Sequence, residues 1–260
     1  PIIRGVVSFG ESLYIGLKTL SYSSSFYEEE DYEPGKIEQF LTKIFGDKLE
    51  SILMGITMII SVILALGIFM VLPFFLTNLM KGFLPSYSIR TLIEGIIRVA
   101  LFLLYIWLIS KMEDIKRVFM YHGAEHKTIN CLEHGEDLTP ENIKKYSRLH
   151  KRCGTSFLLI VMIVSIVVFM FIRVDSLVWK FVLRILLVPV VAGISYEFIR
   201  LAGRSDSKIV NTLSKPGLYL QYFTTREPDE EMMEVAIKAV EGVFDWREYL
   251  RAMHNGELED

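Results

Sequence analysis

The stretch SILMGITMIISVILALGIFMVLPFFLTNLM, residues 51–80, contains no Asp, Glu, Lys or Arg. About 20 consecutive apolar residues carry a helix across a hydrocarbon core, so this block can span with a tilt, a kink or an interfacial extension. Pro73 marks where the kink or exit falls, because a proline inside a helix removes one main-chain hydrogen bond. Further along, residues 154–172 form a second uncharged run, opening on Gly154, Thr155 and Ser156 and continuing Phe157-Leu158-Leu159-Ile160-Val161. Residues 89–110 and 181–201 read as two more spans, with Arg90, Glu94 and Arg98 in one and Arg184, Glu197 and Arg200 in the other, mostly toward the ends. The expected fold is an all-α polytopic membrane protein with about four transmembrane helices and cytoplasmic helical extensions. Its first partner is the lipid bilayer.

Positive charge sets the orientation. Residues 111–153 hold Lys111, Lys116, Arg117, Lys127, Lys144, Lys145, Arg148, Lys151 and Arg152, whereas the turns near Lys81 and near Arg173 and Lys180 are lightly charged. That loop, and with four spans both termini, are expected in the cytoplasm. The two cysteines, Cys131 and Cys153, then lie in a reducing compartment, and a disulfide framework is not expected. No secretory signal is visible, and the start at Pro1 rather than Met points to a trimmed N-terminal segment. The basic loop is accounted for by orientation, so no nucleic-acid partner is expected.

Three regions follow: an amphipathic helix and acidic connector (1–50), a four-span membrane domain (51–201) and a cytoplasmic helical region (202–260). In the first, Ile2, Val6, Phe9, Leu13, Leu17 and Leu20 recur at helical spacing, ahead of the acidic stretch 27–35. In the central loop the second span is expected to run on as a helix until Gly135. Thr139-Pro140-Glu141 then starts a short basic helix reaching about His150, and the third span begins near Cys153. Lys215-Pro216-Gly217 reads as a turn, and Pro228-Asp229-Glu230-Glu231 opens a helix with Met233, Ala236, Ile237, Val240 and Val243-Phe244 on one stripe.

The chemistry centres on histidines, four of the five lying between residues 122 and 150. His122-Gly123-Ala124-Glu125-His126 puts His122 and His126 one turn apart on one helix face, where both can reach one transition-metal ion, with zinc the first choice. Glu125 beside them is suited to act as a base toward water. Two histidines are not a site, and the further ligands expected are His150 and Cys153 at the entry to the third span and Glu197 near the cytoplasmic end of the fourth. Glu133 and His134 read as a solvated helix end. Glu94 and Arg98, one turn apart, with Arg184 form a second constellation, read as an ion pair holding the second and fourth spans together near the outer face.

Four motifs in order, Tyr121-His122-Gly123-Ala124-Glu125-His126-Lys127, Arg152-Cys153-Gly154-Thr155-Ser156-Phe157, Tyr196-Glu197 and Thr224-Thr225-Arg226-Glu227-Pro228, resemble the YqhQ-like family of bacterial membrane proteins. That family is of unknown function and described as predicted metal-dependent enzymes. The resemblance implies a multi-pass protein of the bacterial cytoplasmic membrane, facing the cytoplasm, with a metal site at His122, Glu125 and His126. It also implies a further N-terminal segment. Two functions are expected to compete: a zinc-dependent hydrolase acting on a peptide or lipid-derived ester at the membrane boundary, and a non-enzymatic homo-oligomeric scaffold or pore.

Overall fold

A run of Leu, Ile, Met and Val with no charge to solvate makes residues 51–79 one nearly unbroken helical stretch. The computed structural model describes residues 2–24, 26, 46, 49–84, 86–174, 177–205 and 207–256, and among them every regular element is helical. The acidic stretch 27–35 lies outside the described residues. After α1 (Ile2–Ser24), α2 (Leu49–Leu66) passes through a π-helical turn (Gly67–Val71) into α3 (Leu72–Leu79). The cause of the irregularity is Pro73. It has no N–H for the carbonyl four residues back, Phe69, and Arg98 from the next helix donates its Nε–H to that carbonyl at 2.9 Å.

The remaining helices are α4 (Tyr87–Ile109), α5 (Glu113–Glu133), the one-turn α6 (Pro140–Ile143), α7 (Gly154–Met170), α8 (Leu177–Arg204), α9 (Lys208–Thr224), α10 (Glu230–Glu241) and α11 (Trp246–His254). Among the described residues, three helical stretches are long and apolar enough to cross a membrane: Ile52–Leu79, Tyr87–Ile109 and Val178–Arg204. Gly154–Met170 is equally apolar but shorter. Ile59, Ile63, Leu104 and Leu186 are exposed on these helices, as surfaces that meet lipid rather than water require. α4, α7 and α8 pack together, and α1 lies on α8. The approach there is close enough that a Cβ on Gly5 would sit 2.7 Å from the carbonyl oxygen of Gly193.

Several local expectations need correction. The second span does not run on: Ser110 caps α4, Met112 is extended, and α5 restarts with Glu113 and Asp114 in its first turn, where acidic side chains suit the positive end of the helix dipole. Gly135, at φ +77°, does end α5, and Thr139 accepts a hydrogen bond from the Asn142 N–H as the cap of α6. The basic helix stops at Ile143 rather than near His150. Lys215-Pro216-Gly217 is no turn but the middle of α9, because Gly217 packs so tightly on α7 that a Cβ would lie 2.8 Å from Ser156 Cβ. Tertiary packing outweighs the hydrogen bond that Pro216 forgoes. The stripe on α10 faces inward in part: Met233 lies in a small core with Leu132, Ile143 and Trp246, with Ile237 and Val240 against it, whereas Val243 and Phe244 lie beyond the helix end and are exposed. Trp246 belongs to α11, a helix additional to those expected from the sequence.

Inside the bundle, Glu94 is 2 % exposed and gathers three cations, one from its own helix α4 and two from α8. Arg184 donates both terminal nitrogens to its carboxylate, Arg98 donates at 3.2 Å and Lys180 sits at 3.4 Å. The expected link between α4 and α8 is therefore present, with Lys180 as an unanticipated member. Breaking a buried pair strands charge and costs about 3–5 kcal/mol. Glu94→Ala is expected to lower stability in detergent by about that amount, whereas Glu113→Ala, which removes an exposed pair with Lys116, should cost less than about 1 kcal/mol. Thermal melts of the two purified variants against wild type check this, and equal melts would contradict it.

Candidate metal centre

Helical spacing brings His122 and His126 to one face of α5, with ring centroids 4.3 Å apart. Spacing does not fix which nitrogen points where. That is decided by two main-chain carbonyls from distant parts of the chain. His122 Nδ1 lies 2.8 Å from the carbonyl oxygen of Thr224, and His126 Nδ1 lies 2.6 Å from that of Arg148. A carbonyl can only accept, so both Nδ1 atoms carry a proton, and each Nε2 is left to bond to the thiol or to a metal. The His122 Nε2 stands 3.2 Å from Cys153 Sγ.

Both carbonyls are themselves held. Thr224 is the last residue of α9, so its carbonyl has no partner within the helix. The chain beyond it runs along α5: Arg226 N–H donates to the Phe119 carbonyl at 2.8 Å, and Lys127 pairs with Glu227 at 2.9 Å. Arg148 sits in a loop fixed from two sides. Asn130 Nδ2 donates to the carbonyls of Ser147 and Leu149, while the buried Gln221 side chain accepts from the His150 N–H and donates to the His150 carbonyl. The Arg148 guanidinium donates to the Thr225 carbonyl at 2.8 Å and so ties this loop to the same segment.

Cys153 is the N-cap of α7. Its sulfur accepts from the Thr155 N–H at 3.4 Å and lies 3.1 Å from the Thr155 hydroxyl. Burial alone would raise this thiol. Hydrogen bonds from His122 and His126, with a smaller one from Thr155, outweigh it and pull the thiol down to about 5. Burial likewise opposes charge on His122, but the bond to Cys153 and the Thr224 carbonyl hold it above the usual histidine value. Cys131, in contrast, is pushed up to about 11 by burial and by the nearby Glu136 and is an inert core thiol.

One ligand atom each from His122, His126 and Cys153 lies within 4.8 Å of the others. Around a tetrahedral ion with bonds of about 2.0–2.3 Å, ligand atoms stand roughly 3.3–3.8 Å apart, so small side-chain rotations close this set on one ion. These three border a cavity of about 380 Å³ that Glu125 and His150 also line. The other two expected ligands are not drawn in. His150 Nε2 points to Glu133 at 3.3 Å, and its ring centroid is 5.7 Å from that of His126. Glu197 is clasped by the Arg4 guanidinium at 2.7 Å. Glu133 is, as expected, the exposed last residue of α5, but it is not without partners. It pairs with both His150 and Arg152, and the bond to His150 holds its carboxyl below the ordinary range. The roles of the Thr224 and Arg148 carbonyls are invisible in the sequence, since main-chain acceptors leave no residue-type signature.

Comparison with known proteins places these features in a family. Residues 1–246 match the family described as Protein of unknown function (DUF1385). The chain is 37% identical over 240 residues to the uncharacterized protein YqhQ of Bacillus subtilis (strain 168), covering 92% of this chain and 75% of that protein. No solved structure matches.

The thiol geometry has a direct readout. In metal-free protein, alkylation of Cys153 by iodoacetamide is expected to rise with pH through about 5 and then level off, while Cys131 stays unreacted until about pH 11. Peptide mass mapping after timed labelling distinguishes the two. A Cys153 that reacts only above pH 8 would rule out the hydrogen bonding described.

Proposed function

The chain belongs to this YqhQ-like family, and we propose that it is a zinc-dependent hydrolase working at the cytoplasmic surface of a bacterial membrane. The single observation that carries the reading is the pair of Nδ1 hydrogen bonds to main-chain carbonyls, which commits two imidazole Nε2 atoms to the side where Cys153 Sγ lies. Outer-shell acceptors of this kind are what metal-ligating histidines use to fix tautomer and ring orientation. Two imidazoles and a thiolate are a zinc donor set, and three protein ligands are the number that catalytic zinc sites employ.

His122, His126 and Cys153 would hold the ion. Zinc, when bound there, supplies Lewis-acid activation of water or of a substrate carbonyl. Glu125 faces the same cavity and is exposed, so it is free to take a proton from water and return it to a leaving group. His150, held by Glu133, is within reach as a donor to the substrate. The apolar Gly154–Met170 helix serves as a fourth span in this reading. The basic residues of 111–153 and beyond α8 then keep both ends of the chain and the cavity on the cytoplasmic side, where peptide or ester substrates emerging from the bilayer meet it.

Metal analysis of protein purified with zinc supplied is expected to give one equivalent. His122→Ala, His126→Ala and Cys153→Ser should each lower that stoichiometry at least tenfold. Glu125→Gln should keep the zinc and lower hydrolysis of a peptide and ester panel by about 10²–10⁴-fold. Wild-type protein with no more zinc than the three variants would overturn the metal assignment. Full activity in Glu125→Gln would overturn the role of the base.

A further inference from the structure

At the far end of α4 from α5, two cavities meet at the Glu94 ion cluster. One is a polar recess of about 180 Å³ lined by Lys81, Arg90, Lys180 and Glu94 with Asn78 and Tyr87. The other is an apolar groove of about 420 Å³ walled by residues such as Leu66, Phe69, Val161 and Val188, with Arg98 and Arg184 in its lining. Reading the bundle as membrane-embedded, we propose that these two cavities together bind one anionic phospholipid, its phosphate in the recess and an acyl chain in the groove.

Charge carries the first step. The recess and groove bring together five cations, Lys81, Arg90, Arg98, Lys180 and Arg184, against the single carboxylate of Glu94. That carboxylate is already the partner of Arg98, Lys180 and Arg184. Among the described residues no other acid pairs with any of these three. Surplus positive charge in a low-dielectric setting calls for an anion. Arg and Lys at such a place are suited to phosphate oxygens.

Depth carries the second. The recess lies where membrane-crossing helices end: Asn78 closes α3, Tyr87 and Arg90 open α4, and Lys180 is in the first turn of α8. A bilayer places its phosphates at that level. The groove lies nearer the middle of the same helices, where acyl chains lie, and its lining is apolar but for Ser165 and the two arginines. A free phosphate would satisfy the recess and leave the groove without an occupant. A phospholipid fills both.

The test uses the full chain in mild detergent, with lipid retention measured by native mass spectrometry. Phosphatidylglycerol is expected to stay bound at one per chain, and phosphatidylcholine to bind at least tenfold more weakly. The double variant Lys81→Gln, Arg90→Gln leaves the Glu94 cluster intact and should lower phosphatidylglycerol retention at least tenfold. Ala65→Phe fills the groove without changing charge and should do the same, with both variants melting within a few degrees of wild type. Equal retention of the two lipids, displacement of phosphatidylglycerol by millimolar inorganic phosphate, or retention unchanged in either variant would each overturn the proposal.

Discussion

The carbonyl of Arg226 lies against α5 at the one position in the histidine motif where there is no side chain. A Cβ on Gly123 would stand 2.0 Å from that oxygen, a distance no substituted residue can accept. With glycine there, residues 224–227 lie flat along the helix, and the Thr224 carbonyl reaches His122 while Glu227 reaches Lys127. Any other residue would push this segment off α5 and release the His122 ring. Gly123 is thus needed for a reason quite separate from helix propensity, which it lowers by about 1 kcal/mol relative to alanine.

Two helix ends of opposite polarity meet over the cavity. α9 terminates at Thr224 and offers a carbonyl from its electronegative end, which takes the His122 N–H. α7 begins after Cys153 and presents its electropositive end, which favours the thiolate. Neither helix supplies a metal ligand from its interior. What they contribute is the protonation state of groups held elsewhere, and packing of α9 on α7 through Gly217 and Ser156 keeps the two ends in register. A helix through Pro216, costly in isolation, is sustained by this contact.

How much of this the sequence discloses depends on the range of each interaction. Long uncharged runs and i, i+4 spacing are local, so the helical class, the face shared by His122 and His126, and the Glu94–Arg98 pair were legible. Cys153 was legible as well, as a thiol at the mouth of an apolar helix. Arg4 opposite Glu197 was not, because the partners are 193 residues apart and Arg4 reads as one more charge on an amphipathic helix. The break at Ser110 was masked by residues 111–132, which are good helix formers on either reading. Pro73 is legible as a disturbance of the helix, but its consequence, a freed Phe69 carbonyl taken by Arg98, depends on the neighbouring helix.

The residues missing from the ligand set bear on what the centre is for. A structural zinc site is closed by four protein ligands, and the sequence offered five candidates, enough to close one. The fold spends two of them elsewhere: Glu197 on Arg4 across the α1–α8 crossing, and His150 on Glu133. Each of these side chains has a partner of its own outside the cluster. What remains is two imidazoles and a thiolate beside a cavity bordered by a free carboxylate, Glu125. An ion held by these three ligands would keep a position for an exogenous molecule, as three-ligand zinc sites do.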